Sequence, residues 1–194
     1  MEGALDEGVI EYCAAIAAQS DGDARKAIAL LKTAVQTAEN EGSDKVTIEH
    51  VKKALEVYEK DIVRQTITTL PLHHKAVILS IVLCIEAGLY KKAGVRSGHA
   101  YIAYKNICHV LGIEPHTQRR FRDFLNELEE LELVHSQHLS YGRGKGRAKV
   151  VWLEGNPSLF KEVIFESERF SEFDYQAFVK EFRKLVSSLQ DASF

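Results

Sequence analysis

The chain has 194 residues, of which 45% are hydrophobic and 27% charged, and this globular composition excludes a wholly disordered chain. Its longest apolar stretch, Ala76 to Ile85, has about half the length that a membrane span needs, and the N-terminal residues lack the pattern of a signal peptide. We therefore expect a soluble, cytoplasmic chain with no membrane partner.

Positive charge is concentrated in the middle of the chain, although the formal net charge is −3. Residues 1–70 carry 8 Lys and Arg against 13 Asp and Glu. Residues 71–155 carry 12 against 8, and residues 156–194 carry 5 against 7. Such an asymmetry is typical of a protein that contacts nucleic acid through one region.

The first third of the chain has three segments with hydrophobic residues at helical spacing. They span residues 4–19, residues 24 to about 40, and a third helix that begins after a capping Thr47. The residues expected to face inward are Leu5, Val9, Cys13 and Ile16, then Ala24, Ala27, Ile28, Leu31, Val35 and Ala38, then Val51, Ala54, Leu55 and Tyr58. Three such helices make a small bundle, which we assign to residues 1–66.

The middle of the chain is predicted to be a winged helix-turn-helix domain, residues 67–155. A polar stretch from Gln65 to Thr69 precedes Pro71, which suits the first turn of a new helix. Helices are predicted at about 71–88, between Gly98 and Gly112, and from about Thr117 to Glu132. Their inward residues are Tyr101, Tyr104, Ile107, Cys108 and Leu111 in the second of these helices, and Phe121, Phe124, Leu125, Leu128 and Leu131 in the third.

Two strands are predicted to follow, at Val134–Tyr141 and Ala148–Leu153, with a glycine-rich tip between them at 142–147. Residues 156–194 form a C-terminal helical extension, whose last helix places Phe178, Phe182, Leu185 and Leu189 on one stripe. The expected fold class is therefore mainly α with a small β-hairpin wing.

The third helix of a winged helix-turn-helix enters the major groove, and its first residues approach bases and phosphates. The candidate DNA contacts here are Thr117, Gln118, Arg119, Arg120 and Arg122, with Asn126 further along and Arg143, Lys145 and Arg147 on the wing. Arginine pairs with guanine or phosphate, and Gln or Asn pairs with adenine. The alternative is a solvated face, since Glu127, Glu129, Glu130 and Glu132 make the second half of the helix acidic. The basic wing favours DNA contact.

No catalytic or metal-binding motif is present in the sequence, so we expect no catalytic residue, no metal site and no cofactor in this chain. Gly144-Lys145-Gly146 lacks the hydroxyl residue and the earlier glycine that a Walker-type phosphate loop needs. No Gly-x-Ser-x-Gly motif, Cys-x-x-Cys pair or His-Glu-x-x-His motif occurs. By composition alone, the run from Gly22 to Arg25 is a helix start in which Arg25 can pair with Asp21.

Two parts of the chain resemble one family of proteins. Val9 to Ala17 followed by Gly22 to Leu31 looks like the lid of an AAA+ initiator ATPase, and Asp61 to Lys75 with Thr117 to Arg120 resembles the winged helix of the same family. The family is that of the archaeal origin-recognition and cell-division-control initiators (cell division control protein 6 homologues). The likeness covers about residues 4–155.

The resemblance implies an archaeal, nucleoid-associated initiator that binds double-stranded origin DNA and helps load the replicative minichromosome maintenance helicase. Other initiator copies are further implied partners, and ATP or ADP with magnesium is the implied cofactor of the full protein. Arg25 would be the sensor-2 arginine, which reaches the γ-phosphate, and Arg119, Arg120, Arg143, Lys145 and Arg147 would touch DNA. The Walker motifs and nucleotide-base pocket are missing from this sequence, so we expect the C-terminal part of a longer protein, with a natural truncated paralogue as the alternative.

Two other functions stay open from the sequence. The chain could be a winged-helix transcription regulator, whose first three helices serve dimerisation or effector binding. It could instead be an interaction module, whose winged helix docks on a helicase or a neighbouring initiator. Steep salt dependence of DNA binding would count against the second, because phosphate contacts release counterions.

Overall fold

A computed structural model describes residues 4–19, 24–90, 94–140 and 147–191; for residues 19, 147 and 188–191 only the backbone is described. The chain divides into two compact units, residues 1–63 and residues 64–194. Within the described residues, no helix is both long and apolar enough to cross a membrane.

The first unit consists of three helices around one core. These are α1 (Val9–Gln19), α2 (Ala24–Asn40) and α3 (Ile48–Thr69), the last residues of which belong to the second unit. The core residues are Val9, Cys13, Leu30, Ala34, Ala38, Val46, Val51 and Ala54. As predicted, Thr47 directly precedes α3, and its N–H donates to Nδ1 of His50 at 3.0 Å.

Two predictions for this unit are wrong. Residues 4–6 are not helical, because Leu5 forms a parallel bridge with Val46, whose N–H and C=O bond to the backbone of Ala4 and Asp6. The inward face of α2 is formed by Leu30, Ala34 and Ala38, so Ile28 is 68% exposed and Ala24 is also exposed. Ile28 is two residues, or about 200°, around the helix from Leu30.

The second unit surrounds one buried helix, α4 (Leu72–Glu86), in which every residue from His74 to Cys84 is buried. Around it lie β1 (Val95–Arg96), α5 (Ser97–Val110), α6 (Gln118–Glu130), β2 (Val134–Ser140), β3 (Arg147–Leu153) and α7 (Pro157–Phe165). The unit ends with α8 (Glu168–Ser171) and α9 (Tyr175–Asp191). The polar stretch at 65–69 continues α3 and does not interrupt it.

The three strands form an antiparallel sheet in the order β1-β3-β2. The β2–β3 register runs from Val134 opposite Leu153 to Ser140 opposite Arg147, and Val95 in β1 pairs with Val151. The two-residue strand β1 was not predicted, because two residues are too short to show an alternating pattern. The predicted fold class, mainly α with a small β-hairpin, is confirmed.

Two residues predicted to be inward in the second unit are exposed. Leu131 is 46% exposed because α6 ends at Glu130 and the chain turns at Glu132 (φ 56°), which lets Leu133 enter the core instead. Leu185 is 39% exposed, since the buried stripe of α9 is Tyr175, Phe178, Val179, Phe182 and Val186. The side chain of Leu189 and the hairpin tip at 141–146 lie outside the described residues.

Candidate nucleic-acid interface

The start of α6 is fixed by a cap and an apolar anchor. The Thr117 hydroxyl accepts a hydrogen bond from the Arg120 N–H at 3.4 Å, as the N-cap of the helix. Phe121, Phe124, Leu125 and Leu128 are buried on the inner face. The helix therefore presents Gln118, Arg119, Arg122 and Asn126 on its exposed side. The sequence did not show that Thr117, a predicted DNA contact, also has this structural role.

Arg120 differs from the other arginines of α6 because it is held by its own helix. Its guanidinium lies 4.5 Å from the Phe124 ring centroid, and Nη1 donates to Oε1 of Glu127 at 3.0 Å. Asp123 lies 3.8 Å from the same nitrogen. Among the described residues, none bonds to the exposed side chain of Arg119 or Arg122.

Glu127 connects Arg120 to the buried helix α4. Its Oε2 is 2.6 Å from Nε2 of His74, a residue that is 8% exposed. The hydrogen bond from His74, and then the charge and hydrogen bond of Arg120, lower the pKa of Glu127. The carboxylate therefore stays ionised at neutral pH and keeps Arg120 in place. The sequence assigned Glu127 to a solvated acidic face, so this role was missed.

Glu129, also assigned to the acidic face, fixes the first wing strand to α6. It accepts hydrogen bonds from the N–H of Ser136 at 3.0 Å and from its hydroxyl at 2.7 Å. Burial raises the pKa of Glu129, but the two bonds from Ser136 and the nearby Lys149 and His135 together lower the pKa overall. Helix α6 and strand β2 are therefore held in one orientation.

Asn126 is joined to the second wing strand. Its Oδ1 accepts a hydrogen bond from Nζ of Lys149 at 3.0 Å. Bidentate pairing with adenine uses both the oxygen and the nitrogen of an Asn amide. Lys149 therefore occupies one of the two lone pairs of the Asn126 oxygen, which leaves the other lone pair and the amide N–H groups for adenine. Its position in the sequence did not indicate that Lys149 lies beside α6.

A cluster of aromatic and imidazole rings packs against the buried side of α6. His73 Nδ1 lies 2.8 Å from the Tyr104 hydroxyl, which accepts the N–H of His116 at 3.2 Å. The rings of His73 and Phe124 are stacked with centroids 5.9 Å apart. Burial, and then the neighbouring His116 and His74, lower the pKa of His73, which is therefore neutral at physiological pH.

We expect acidification to destabilise the second unit through His73. Because the pKa of His73 is lower in the folded chain than in the unfolded chain, the unfolded chain binds more protons once the pH falls below about 6.5. The stability that neutral His73 contributes is therefore fully present above that pH and is lost as the pH falls below it. His73→Gln, which cannot titrate, should lose less stability between pH 7.5 and pH 5 than the unmodified chain, measured by urea unfolding. The exposed His109→Gln is the control. Equal losses in all three chains would contradict this role for His73.

Only some of the remaining residues that were predicted to bind nucleotide or DNA lie within the described part of the chain. Arg25 is exposed in the first turn of α2, whereas Gly22 and Asp23 lie outside the described residues. Arg147 is the first residue of β3, and Arg143 and Lys145 lie outside the described residues. Within the described ranges, no group of three or more His, Cys, Asp or Glu residues could hold a metal ion.

Family comparison matches both units of the chain. Residues 1–56 match the Cdc6 AAA+ ATPase-type lid domain, and residues 65–163 match the Cdc6 C-terminal winged helix domain. The chain is 43% identical over 162 residues to the ORC1-type DNA replication protein of Thermococcus onnurineus, covering 84% of this chain and 38% of that protein. It is 38% identical over 186 residues to ORC1-type DNA replication protein 1 of Archaeoglobus fulgidus, covering 96% and 44%.

A solved structure is similar to most of the chain. The Aeropyrum pernix ORC1 protein in complex with DNA has a TM-score of 0.76 and 34% sequence identity, over 88% of this chain and 44% of that one. The chain thus spans about two fifths of the length of the curated relatives that it matches. Its lid and winged-helix matches show that it belongs to the Cdc6 family, whose relatives here are ORC1-type DNA replication proteins.

Proposed function

We propose that this chain binds double-stranded DNA at replication origins through its winged helix. The observation that supports this best is the exposed face of α6, where Arg119 and Arg122 carry no intramolecular bond among the described residues. Guanidinium groups that are held on a rigid helix and left uncommitted can contact bases and phosphates without first breaking an internal contact. The similarity to an ORC1 protein whose structure was solved in complex with DNA supports DNA as the ligand.

In this proposal the chain is the C-terminal part of an AAA+ initiator, and residues 1–66, 67–155 and 156–194 are its lid, winged-helix and extension segments. The full protein would bind ATP or ADP with magnesium, and Arg25 would sense the γ-phosphate from the lid. It would act in the archaeal cytoplasm on the nucleoid, helping to load the replicative minichromosome maintenance helicase beside other initiator copies. The match of residues 1–56 to an AAA+ ATPase-type lid supports this assignment.

The wing gives the most direct test of DNA binding. Replacing Arg143, Lys145 and Arg147 with alanine should weaken binding to every duplex and lower the slope of log affinity against log salt by up to about 3, because up to three phosphate contacts are lost. Fluorescence anisotropy with a duplex selected from a random pool measures both quantities. A variant in which Arg169, Lys180 and Lys184 on α8 and α9 are replaced with alanine controls for the loss of three positive charges.

The outcomes separate the rival functions. If the triple wing variant keeps the original affinity and salt slope, the wing does not contact DNA and the interaction-module function becomes the better explanation. If the selected duplex matches promoters and not origins, the chain is a transcription regulator. A selected duplex that occurs as an origin repeat supports the proposal.

We expect no ATPase activity and no more than weak ATP binding by the 194-residue chain. Arg25 offers one guanidinium, while nucleotide affinity in this class of enzyme also needs a glycine-rich phosphate cradle and magnesium ligands. Arg25→Ala should leave folding and DNA affinity nearly unchanged, as measured by circular dichroism and anisotropy. Micromolar ATP binding in calorimetry would overturn this expectation.

A further inference from the structure

A basic groove lies beside α6, between that helix, α5 and the sheet. Its volume is about 850 Å³, and it is lined by residues of five elements, among them Arg96, Gly98, Arg122, Asn126, His138 and Lys149. Three of its described lining residues are Lys or Arg, two are His, and none is Asp or Glu. The groove therefore concentrates positive charge in a concave site that is suited to an anion.

The positions of the cations are fixed by the strands and helices that carry them. Lys149 and His138 are directly opposite each other in the β2–β3 register, and Arg96 is tied to the same strand by its pairing with Val150. Lys149 is further oriented by its bond to Asn126 of α6. A ligand that enters the groove would therefore meet a Lys149 ammonium group that is already oriented, which lowers the entropy lost on binding.

Gly98 is in the first turn of α5, where the fold itself does not require a glycine. A Cβ built on Gly98 meets no heavy atom within 4 Å, and its φ is not in the left-handed region, in contrast to Gly94 or Gly88. Glycine lowers helix stability relative to alanine, so its presence here has no folding advantage. The missing side chain of Gly98 does leave space in the groove, and it lets a ligand approach the backbone closely.

We infer that this groove holds a backbone phosphate of the bound duplex, next to the bases that α6 reads. The inference rests on the proposed DNA-binding function and adds Gly98, Arg96, His138 and Lys149 to it. A phosphate in the groove would accept hydrogen bonds from Lys149 and Arg122 on two different elements. Such a contact sets the register of the helix on the duplex and carries no base preference of its own.

Lys149→Gln and Gly98→Ala test the groove in two independent ways. Lys149→Gln keeps a donor for Asn126 but removes the charge, and should lower the salt slope by about 1 and the affinity about fivefold to tenfold. Gly98→Ala should reduce affinity about fivefold without lowering the urea midpoint, because the methyl group intrudes on the phosphate and not on the fold. Lys180→Gln, on α9 and outside the groove, is the charge-matched control.

A series of duplexes, each with one neutral methylphosphonate linkage, locates the phosphate. One position should weaken binding by the unmodified chain but not by Lys149→Gln, because the same contact is already lost. The groove is not a phosphate site if both variants match Lys180→Gln while Arg119→Ala still weakens binding. If the unmodified chain itself binds no duplex, the proposed function fails, and that result is visible without any groove variant.

Discussion

Replacing Arg119 with alanine is expected to weaken binding to the selected duplex by about 1–3 kcal/mol, which is about fivefold to 150-fold, and to relax the preference at one base pair. Arg119 is exposed in the first turn of α6, and no described residue bonds to its side chain. Its whole hydrogen-bonding capacity is therefore available to a guanine edge. Competition binding with every single-base variant of the duplex measures the change.

Arg120→Ala is the matched control, and its effect should be smaller. The sequence gives no reason to rank the two arginines, but Arg120 is already bonded to Glu127 and lies over Phe124. Contact with a base would exchange this ion pair for hydrogen bonds to a neutral base edge, and the net gain from such an exchange is small. Glu127→Gln should therefore tighten duplex binding severalfold, since it removes a negative charge and weakens the hold on Arg120.

The competing outcomes are distinct. An equal loss with Arg119→Ala on selected and random duplexes would show that Arg119 contacts only phosphate. A base-specific loss with Arg120→Ala that matches or exceeds that of Arg119→Ala would show that Arg120 leaves Glu127 when DNA binds. Either result would change which guanidinium reads sequence.

The sequence predicted the helices and the hairpin of the second unit because their apolar periods are long and their ends carry clear signals. Thr117 marks the start of α6, and a run rich in Val and Trp marks β3. The exposed arginine face of α6 followed from the same periodicity. These features depend on residues that are near one another in the chain.

Features that depend on distant partners were not predictable. The bond between Glu127 and His74 joins residues 53 positions apart, and nothing in the spacing of either residue indicates it. Lys149 and Gly98 become part of one groove only when β1 pairs with β3. The exposure of Ile28 depends on which side of α2 the rest of the bundle covers. Tertiary contacts decided each of these.

Gly94 directly precedes the short strand β1 and lies close to the backbone of the partner strand β3. Its φ is +107°, and an added Cβ would lie 2.8 Å from the carbonyl oxygen of Val151 and 3.4 Å from the Trp152 ring. Gly94→Ala combines a backbone conformation that side chains rarely adopt with a clash against the backbone of the partner strand. We expect it to lower the free energy of unfolding by roughly 2–4 kcal/mol.

Gly88→Ala separates the two causes, because Gly88 has a φ of +80° but no heavy atom within 4 Å of an added Cβ. It should cost only about 1 kcal/mol, the share due to backbone conformation. Trp152 is the only tryptophan and lies on β3, so its fluorescence in urea reports the unfolding of the second unit. If Gly94→Ala is no less stable than Gly88→Ala, the close approach of β1 to β3 does not hold. If it is less stable, the folded fraction should also bind duplex more weakly, since Arg96 directly follows Val95, the residue that pairs with Val151.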